Sequence, residues 1–462
     1  MSARTPASTR TPTSTRTPTG TPGGAREPAR RAVVTGIGVI APGGSGREEF
    51  WQRITSGKSA IRTVSCFDPA PFRSRIAAEC DFDPAAHGLS PREIRRTDRF
   101  AQFALASAAE AVEDAGLDLT APGTDTGRVG VSLGSAVGAS ITLEEEYVVA
   151  SDHGREWEVD PGHLMPFLYQ ALVPSSAATE LAVRFGARGP AAVVSTGCTS
   201  GIDAIGHALR LIEDGEADVM IAGASDAPIT PITVACFDAI RATSPLNDSP
   251  QEASRPFDAD RKGFVLGEGC AVLIVEELEH ARARGARIYC EVAGYAARAN
   301  GFHMTGLRPD GKELGEAVKD VMNQARLDPE DLGYISAHGS GTRQNDRHET
   351  AAYKYALGDA VRRVPISSIK SVIGHSLGAI GSIEMAACAL AIDRSVVPPT
   401  ANLTTPDPEC DLDYTPVTAR ETTVRHALSV GSGFGGFQSA MVFSEFSEAA
   451  RPAGSSGRKV AT

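Results

Sequence analysis

With 462 residues, 42% of them apolar and 22% charged, the chain has the composition of a soluble globular protein with room for a large core and two or three domain-sized units. A net charge of −12 argues against a nucleic-acid surface, which needs a basic stripe. Eight scattered cysteines without a C-x-x-C pair, no apolar leader and no unbroken apolar stretch of membrane-spanning length lead us to expect a reduced, cytoplasmic protein off the membrane.

Residues 1–31 are low-complexity. Arg-Thr-Pro recurs with a period of six around Arg4, Arg10 and Arg16, and six Arg stand against one Glu. Such a segment buries too little apolar surface to fold, so a disordered basic tail is expected. Order begins at Arg31-Ala-Val-Val-Thr-Gly-Ile-Gly-Val-Ile, read as a buried strand running into a Gly turn. A helix around Phe50, Trp51 and Ile54 follows. A second is expected from Pro91 to Gly116, with Ser90 as N-cap. Arg128-Val-Gly-Val-Ser-Leu reads as a strand, Ala191-Ala-Val-Val-Ser as a short buried one, then a helix after Cys198 with Ile202, Ile205, Leu209 and Ile212 on one face, then the strand Ala217–Gly223. Strand, turn, helix, strand is the unit of a parallel sheet.

A second half opens at Tyr289-Cys-Glu-Val-Ala-Gly-Tyr, like the opening at residue 33. Leu332–Ala337 is a strand, followed by a helix from about Asp346. Val364–Ile369 is another, followed by a helix from about Leu377 to Ile392. Arg425–Val430 and Gln438–Phe443 flank a Gly-rich turn. The expectation is an α/β fold in two similar halves, residues 32–285 and 286–448, with a flexible tail at 449–462.

Three side chains stand out for chemistry. Cys198, in Ser195-Thr-Gly-Cys-Thr-Ser-Gly, falls between a strand and a helix N-terminus. That position favours the thiolate, and Gly197 and Gly201 clear space around it. His338 and His375 occupy matching loops beyond the carboxyl ends of strands, where open α/β sheets build their sites. Neither shows H-E-x-x-H spacing, and Asp346, His348 and Glu349 read as a solvated first helical turn, so no metal site is expected. Gly431-Ser-Gly-Phe-Gly-Gly matches G-x-G-x-x-G, but a strand follows it, so it reads as a turn that lets backbone approach a ligand.

Taken in order, the Cys loop, Ala337-His338-Gly-Ser-Gly-Thr, Lys370-Ser-Val-Ile-Gly-His375 and Gly433-Phe434-Gly-Gly resemble the beta-ketoacyl synthases of the thiolase-like superfamily, over about residues 32–446. Ser340 stands where that family usually has Thr. Gly197-Cys-Thr-Ser-Gly, His303-Met-Thr-Gly-Leu-Arg-Pro-Asp-Gly, Gln344-Asn-Asp-Arg-His-Glu-Thr and His375-Ser-Leu-Gly-Ala-Ile-Gly-Ser-Ile-Glu are similar to the alpha ketosynthase subunit of type II (aromatic) polyketide synthases. The resemblance implies a five-layered αβαβα architecture and decarboxylative condensation of malonyl-acyl carrier protein with a chain held on Cys198. It further implies enolate stabilisation by His338 and His375, and an oxyanion hole from the Cys198 and Phe434 N–H groups with Phe434 as gate. Lys370 would set the electrostatics near His338, with Glu349 as its partner and Asp346 in support. No bound cofactor is implied; substrates arrive on the phosphopantetheine arm of an acyl carrier protein. Docking of that carrier is expected at Arg92, Arg95 and Arg96, on one face of their helix, and a chain-length factor is expected as heterodimer partner. The alternatives are a homodimeric fatty-acid elongating ketosynthase and a non-catalytic assembly subunit of the same fold.

Overall fold

The computed structural model describes residues 30–155 and 160–448. The expected tail at 449–462, and the basic tail up to residue 29, lie outside the described residues. Arg30 and Arg31, which sequence assigned to that tail, are anchored: Arg30 pairs with Asp218, and Arg31 forks onto Glu291 at 2.9 and 2.7 Å.

Ten strands give the main sheet its path: β1 (Ala32–Ala41), β2 (Val129–Gly134), β3 (Ala191–Val194), β4 (Val219–Asp226), β5 (Gly269–Glu277), β6 (Cys290–Ala299), β7 (Tyr334–Ser336), β8 (Ile366–Ser367), β9 (His426–Gly433) and β10 (Phe437–Ser444), in the order β8-β7-β9-β10-β6-β1-β5-β4-β2-β3. The first five and the last five have the same internal order and directions. In each, the third strand pairs parallel with the second and the second parallel with the fourth. The fourth runs antiparallel to the fifth, and the fifth antiparallel to the first. Two halves of one topology are thus joined where β1 meets β6, through Val33↔Glu291 and Val34↔Cys290.

The helices complete five layers. Of the helices in chain order, α1 is Arg47–Ser56, α2 Pro91–Arg96, α3 Arg99–Asp114, α4 Ser140–Ala150, α5 Leu168–Leu172, α6 Ser176–Phe185, α7 Ser200–Glu213, α8 Pro231–Ala239, α9 Leu278–Ala283, α10 Lys312–Ala325, α11 Arg343–Leu357, α12 Lys370–Ile373 and α13 Ile380–Arg394. The α3 and α6 helices cover the first half's outer face, α10 and α11 the second's, while α7 and α13 lie between the two halves of the sheet and touch strands of both. The apolar face expected on α7 is buried at Ile202, Ile205, Leu209 and Ile212, and α13 is buried on all sides from Ile380 to Ile392. The two central helices cross at small residues: a Cβ on Gly201 would meet the Ser382 nitrogen at 2.3 Å.

The opening strand is buried from Ala32 to Ala41 and runs into a turn at Gly43, as read; the α3 backbone lies against Gly38, where a Cβ would come 1.9 Å from Ser107 O. Three sequence expectations give way here. The helix expected over 91–116 is two. The Ser90 cap holds as read, and the structure adds a capping box with Glu93, but Thr97 is extended and Asp98 starts a new helix by accepting the Phe100 N–H at 3.1 Å. The strand β3 is not buried: it ends the sheet, and Ala191 is exposed. The turn at Asp346, His348 and Glu349 is not solvated, since all three are fully buried. No helix among the described residues is long and apolar enough to cross a membrane.

Candidate active site

Four loops from both halves meet around a cavity of about 490 Å³ lined by Cys198, His338, His375 and Phe434. Cys198 follows β3 in a short 3₁₀ turn, Gly197–Thr199, that leads into α7. Gly197 has φ of +59°, and a side chain there would crowd Phe434 O at 3.3 Å, so the Cys turn and the β9–β10 turn can approach closely. That second turn is the strand–turn–strand connection read from the Gly-rich motif. The Phe434 and Cys198 main-chain N–H groups both lie close enough to the Cys198 sulfur to favour its thiolate.

The thiol does not follow the sequence expectation of a depressed pKa. Burial pushes it up to about 11, against the pull of the Lys370 charge and the Phe434 N–H, and with Asp226 adding to the rise. A helix N-terminus contributes about 0.3–1 kcal/mol at an exposed site, too little to offset withdrawal of a thiolate from water. At rest Cys198 is a neutral thiol.

The two imidazoles stand 5.3 Å apart, centroid to centroid, at 79°, each only 3% exposed. His338 follows β7 directly. His375 follows the short helix α12 rather than a strand end, as the sequence had suggested. Burial drives both well below the ordinary histidine value, with Lys370 adding to the effect, so both are neutral. The Leu377 N–H donates to His375 Nδ1 at 3.1 Å, which leaves the ring proton on Nε2. Phe264 packs edge-on against His375 at 5.3 Å, and Phe237 links Phe264 to the half-exposed Phe434 at the mouth.

Behind the histidines lies a charged layer that the sequence resolved only in part. Lys370 is 1% exposed and donates to the His338 carbonyl, as its expected place near His338 requires. Its ion partner, however, is Glu384 of α13 and not Glu349. Glu349 instead accepts the His338 N–H at 2.6 Å, the Gly339 N–H at 2.8 Å and the Tyr353 hydroxyl at 2.7 Å, so it pins the loop backbone. Burial raises the Glu349 carboxyl; the Tyr353 hydroxyl, the loop N–H groups and the Lys370 charge oppose it. Asp346 holds the next turn through the Phe257 N–H at 2.8 Å and a fully buried ion pair with Arg261 at 3.1 Å. Glu384 had one sequence signal: a lone acid in an otherwise apolar helix needs a buried cation. Arg92 and Arg95 are exposed on the six-residue α2, away from these loops, but Arg96 is committed to Gln170 at 2.9 Å and to the ring of Phe167. Among the described residues no cluster of His, Cys, Asp or Glu is arranged to hold a metal ion.

Comparison with known proteins decides the family. Residues 29–281 match the beta-ketoacyl synthase N-terminal domain and residues 289–404 its C-terminal domain. The chain belongs to the beta-ketoacyl synthase family. This ketosynthase is 61% identical over 414 residues to the actinorhodin polyketide putative beta-ketoacyl synthase 1 of Streptomyces coelicolor, covering 89% of this chain and 88% of the relative. It is 59% identical over 417 residues to the tetracenomycin polyketide synthase ketoacyl synthase alpha subunit of Streptomyces glaucescens, covering 90% and 97%. Among solved structures, a type II polyketide synthase acyl-carrier protein in complex with its hexaketide-bound ketosynthase superposes with a TM-score of 0.85 at 38% identity, over 91% of this chain and all of that one. The ishigamide ketosynthase/chain length factor gives 0.83 at 32% identity, over 91% and 100%.

Proposed function

We propose that the ketosynthase extends a polyketide chain by decarboxylative condensation, with Cys198 as acyl carrier and His338 and His375 as the decarboxylating pair. The Cys198 sulfur attacks the thioester of an acyl chain borne on a carrier protein. Its proton leaves with the departing pantetheine thiol, and the chain becomes a thioester on Cys198. Malonyl thioester on a second carrier then enters past Phe434. Its carboxylate departs as carbon dioxide, and the electron pair of the broken bond moves onto the thioester oxygen as an enolate. Two neutral imidazoles can donate hydrogen bonds to that oxygen without first losing a charge. The enolate carbon attacks the Cys198 thioester, and the Cys198 and Phe434 N–H groups receive the tetrahedral oxyanion. Collapse expels the sulfur and leaves a β-ketoacyl chain two carbons longer on the carrier. Each step is assigned to a side chain or backbone donor of this chain.

The observation that carries this reading is the convergence of one sulfur from the first half and two charge-neutral imidazoles from the second on one cavity. The reading places the protein in aromatic polyketide biosynthesis; two of the relatives it resembles are named for the actinorhodin and tetracenomycin polyketides. It also assigns two partners. An acyl carrier protein brings the substrates, docking at the exposed Arg92 and Arg95. A chain-length factor covers the open edge of β3 and the exposed apolar residues Leu143, Tyr147, Val149 and Val183. Purified Cys198→Ala protein tests the reading: loss of chain extension with the fold retained is expected, and extension that persists refutes it.

A further inference from the structure

One buried carboxylate close to the nucleophile has no part in the steps above. Asp203 is 6% exposed, in the first turn of α7, and among the described residues its hydrogen-bond partners are four hydroxyl groups and no cation. Oδ2 accepts from Thr196 Oγ1 at 2.5 Å and Thr199 Oγ1 at 2.8 Å; Oδ1 accepts from the Tyr295 hydroxyl at 3.0 Å and Ser439 Oγ at 2.5 Å. Thr196 and Thr199 bracket Cys198. Tyr295 lies on β6 and Ser439 on β10, both in the other half. Gly206 makes the Tyr295 leg possible, since a Cβ at that position would come 2.5 Å from its ring.

We propose that Asp203 is a positioning residue for acyl transfer, a four-hydroxyl clasp that fixes the Cys198 turn against the second half. The proposal deepens the function above and rests on Cys198 being the acylated residue. The turn needs such a clasp because Gly197, with its positive φ, is the soft point immediately before the nucleophile. Ser200 closes the inner side by accepting the Thr196 N–H at 3.0 Å and donating to Gly197 O at 2.7 Å. The outer side is held by Asp203. With the residues on either side of Cys198 tied down, the Cys198 N–H stays aligned with the Phe434 N–H, which the second half carries. Two oxygens suit this place better than an amide's one: each accepts from two hydroxyls, which an amide nitrogen cannot do.

The test compares Asp203→Ala and Asp203→Asn with wild type in the assembled enzyme. Three quantities are read: the rate at which Cys198 is acylated from an acyl-carrier protein, by mass spectrometry; the rate of malonyl-carrier decarboxylation; and the thermal midpoint. Asp203→Ala is expected to slow acylation by at least about tenfold, as misalignment of a reacting group does, and Asp203→Asn by less, because it retains one accepting oxygen. Decarboxylation, carried by His338 and His375 on loops that Asp203 does not touch, stays within about twofold in both, whereas a merely structural loss lowers the two rates together. Asp203→Asn decides the matter if the alanine variant fails to fold. Acylation at the wild-type rate in the folded variants, or a parallel fall of both rates, overturns the proposal. Cys198→Ala run alongside separates the two claims: acylation that survives there sinks the nucleophile assignment itself.

Discussion

Removing Glu384 should cost the ketosynthase more stability than removing any surface carboxylate, and the reason is the charge it leaves behind. Lys370 and Glu384 are each 1% exposed as side chains, and Lys370 also grips the His338 carbonyl. Burial pushes the Glu384 carboxyl up to about 7, while Lys370 pulls it back. Glu384→Ala strands an ammonium group among apolar residues of α13, and breaking a buried pair in this way costs about 3–5 kcal/mol. Total stabilities are about 5–15 kcal/mol, so the midpoint of urea unfolding, followed by circular dichroism, should fall steeply. Replacing both partners, as Lys370→Met with Glu384→Leu, removes the stranded charge and should recover most of the loss, because an apolar pair of similar volume is neutral or better by about 1–4 kcal/mol. The double variant should nevertheless stay poor at decarboxylation, since the tie to the His338 loop is gone. A Glu384→Ala cost below about 1 kcal/mol, or a double variant no more stable than the single, would refute the argument.

Three further outcomes are expected. Both histidines are held neutral by burial and Lys370, so malonyl decarboxylation should be flat from about pH 8 down to about pH 6; a rate that halves near pH 6.5 contradicts this. Because their folded pKa values lie below the unfolded 6.5, the stability they contribute is present above that pH and is lost as the pH falls below it. Alkylation of Cys198 by iodoacetamide should keep climbing with pH through about pH 9.5 in the free enzyme, as a thiol near 11 dictates; a plateau below about pH 8 would show the thiol to be activated at rest. Arg92→Glu with Arg95→Glu should raise the KM for acyl-carrier protein several-fold and leave turnover of pantetheine thioesters unchanged, and an unaltered carrier KM removes α2 from the docking surface.

How far the sequence discloses this site depends on whether a residue acts through its neighbours along the chain or across space. Cys198 and His338 were legible because each follows a strand and sits among glycines, a local pattern. Phe434 was legible from its motif, and the central helices from their apolar faces. The pairing of Lys370 was not, because Glu349 and Glu384 lie 21 residues before and 14 after it in sequence, and only the crossing of α13 under the His338 loop selects between them. Burial of Asp346, His348 and Glu349 was missed for the same reason. Three polar residues in a row of turns look solvated until Arg261, the Gly339 loop and Gln438 close over them. The thiol's pKa went astray because helix position is readable in sequence and desolvation is not.

The duplicated topology explains why the proposed reacting groups come from opposite halves. Cys198 follows the third strand of the first half, and His375 follows the third strand of the second with the short helix α12 between them; each comes directly after a glycine of positive φ, Gly197 at +59° and Gly374 at +67°. Each is then followed by a 3₁₀ turn or helix start that leads into a central helix, α7 or α13, and the two helices cross at Gly201 and Gly381. Two equivalent turns are thereby brought face to face by the packing of the middle layer. A fold with one half could present either turn to solvent but could not set the sulfur opposite an imidazole. The smallness of the crossing residues is what fixes the separation: any side chain at Gly201 would push against the α13 backbone and move the two turns apart.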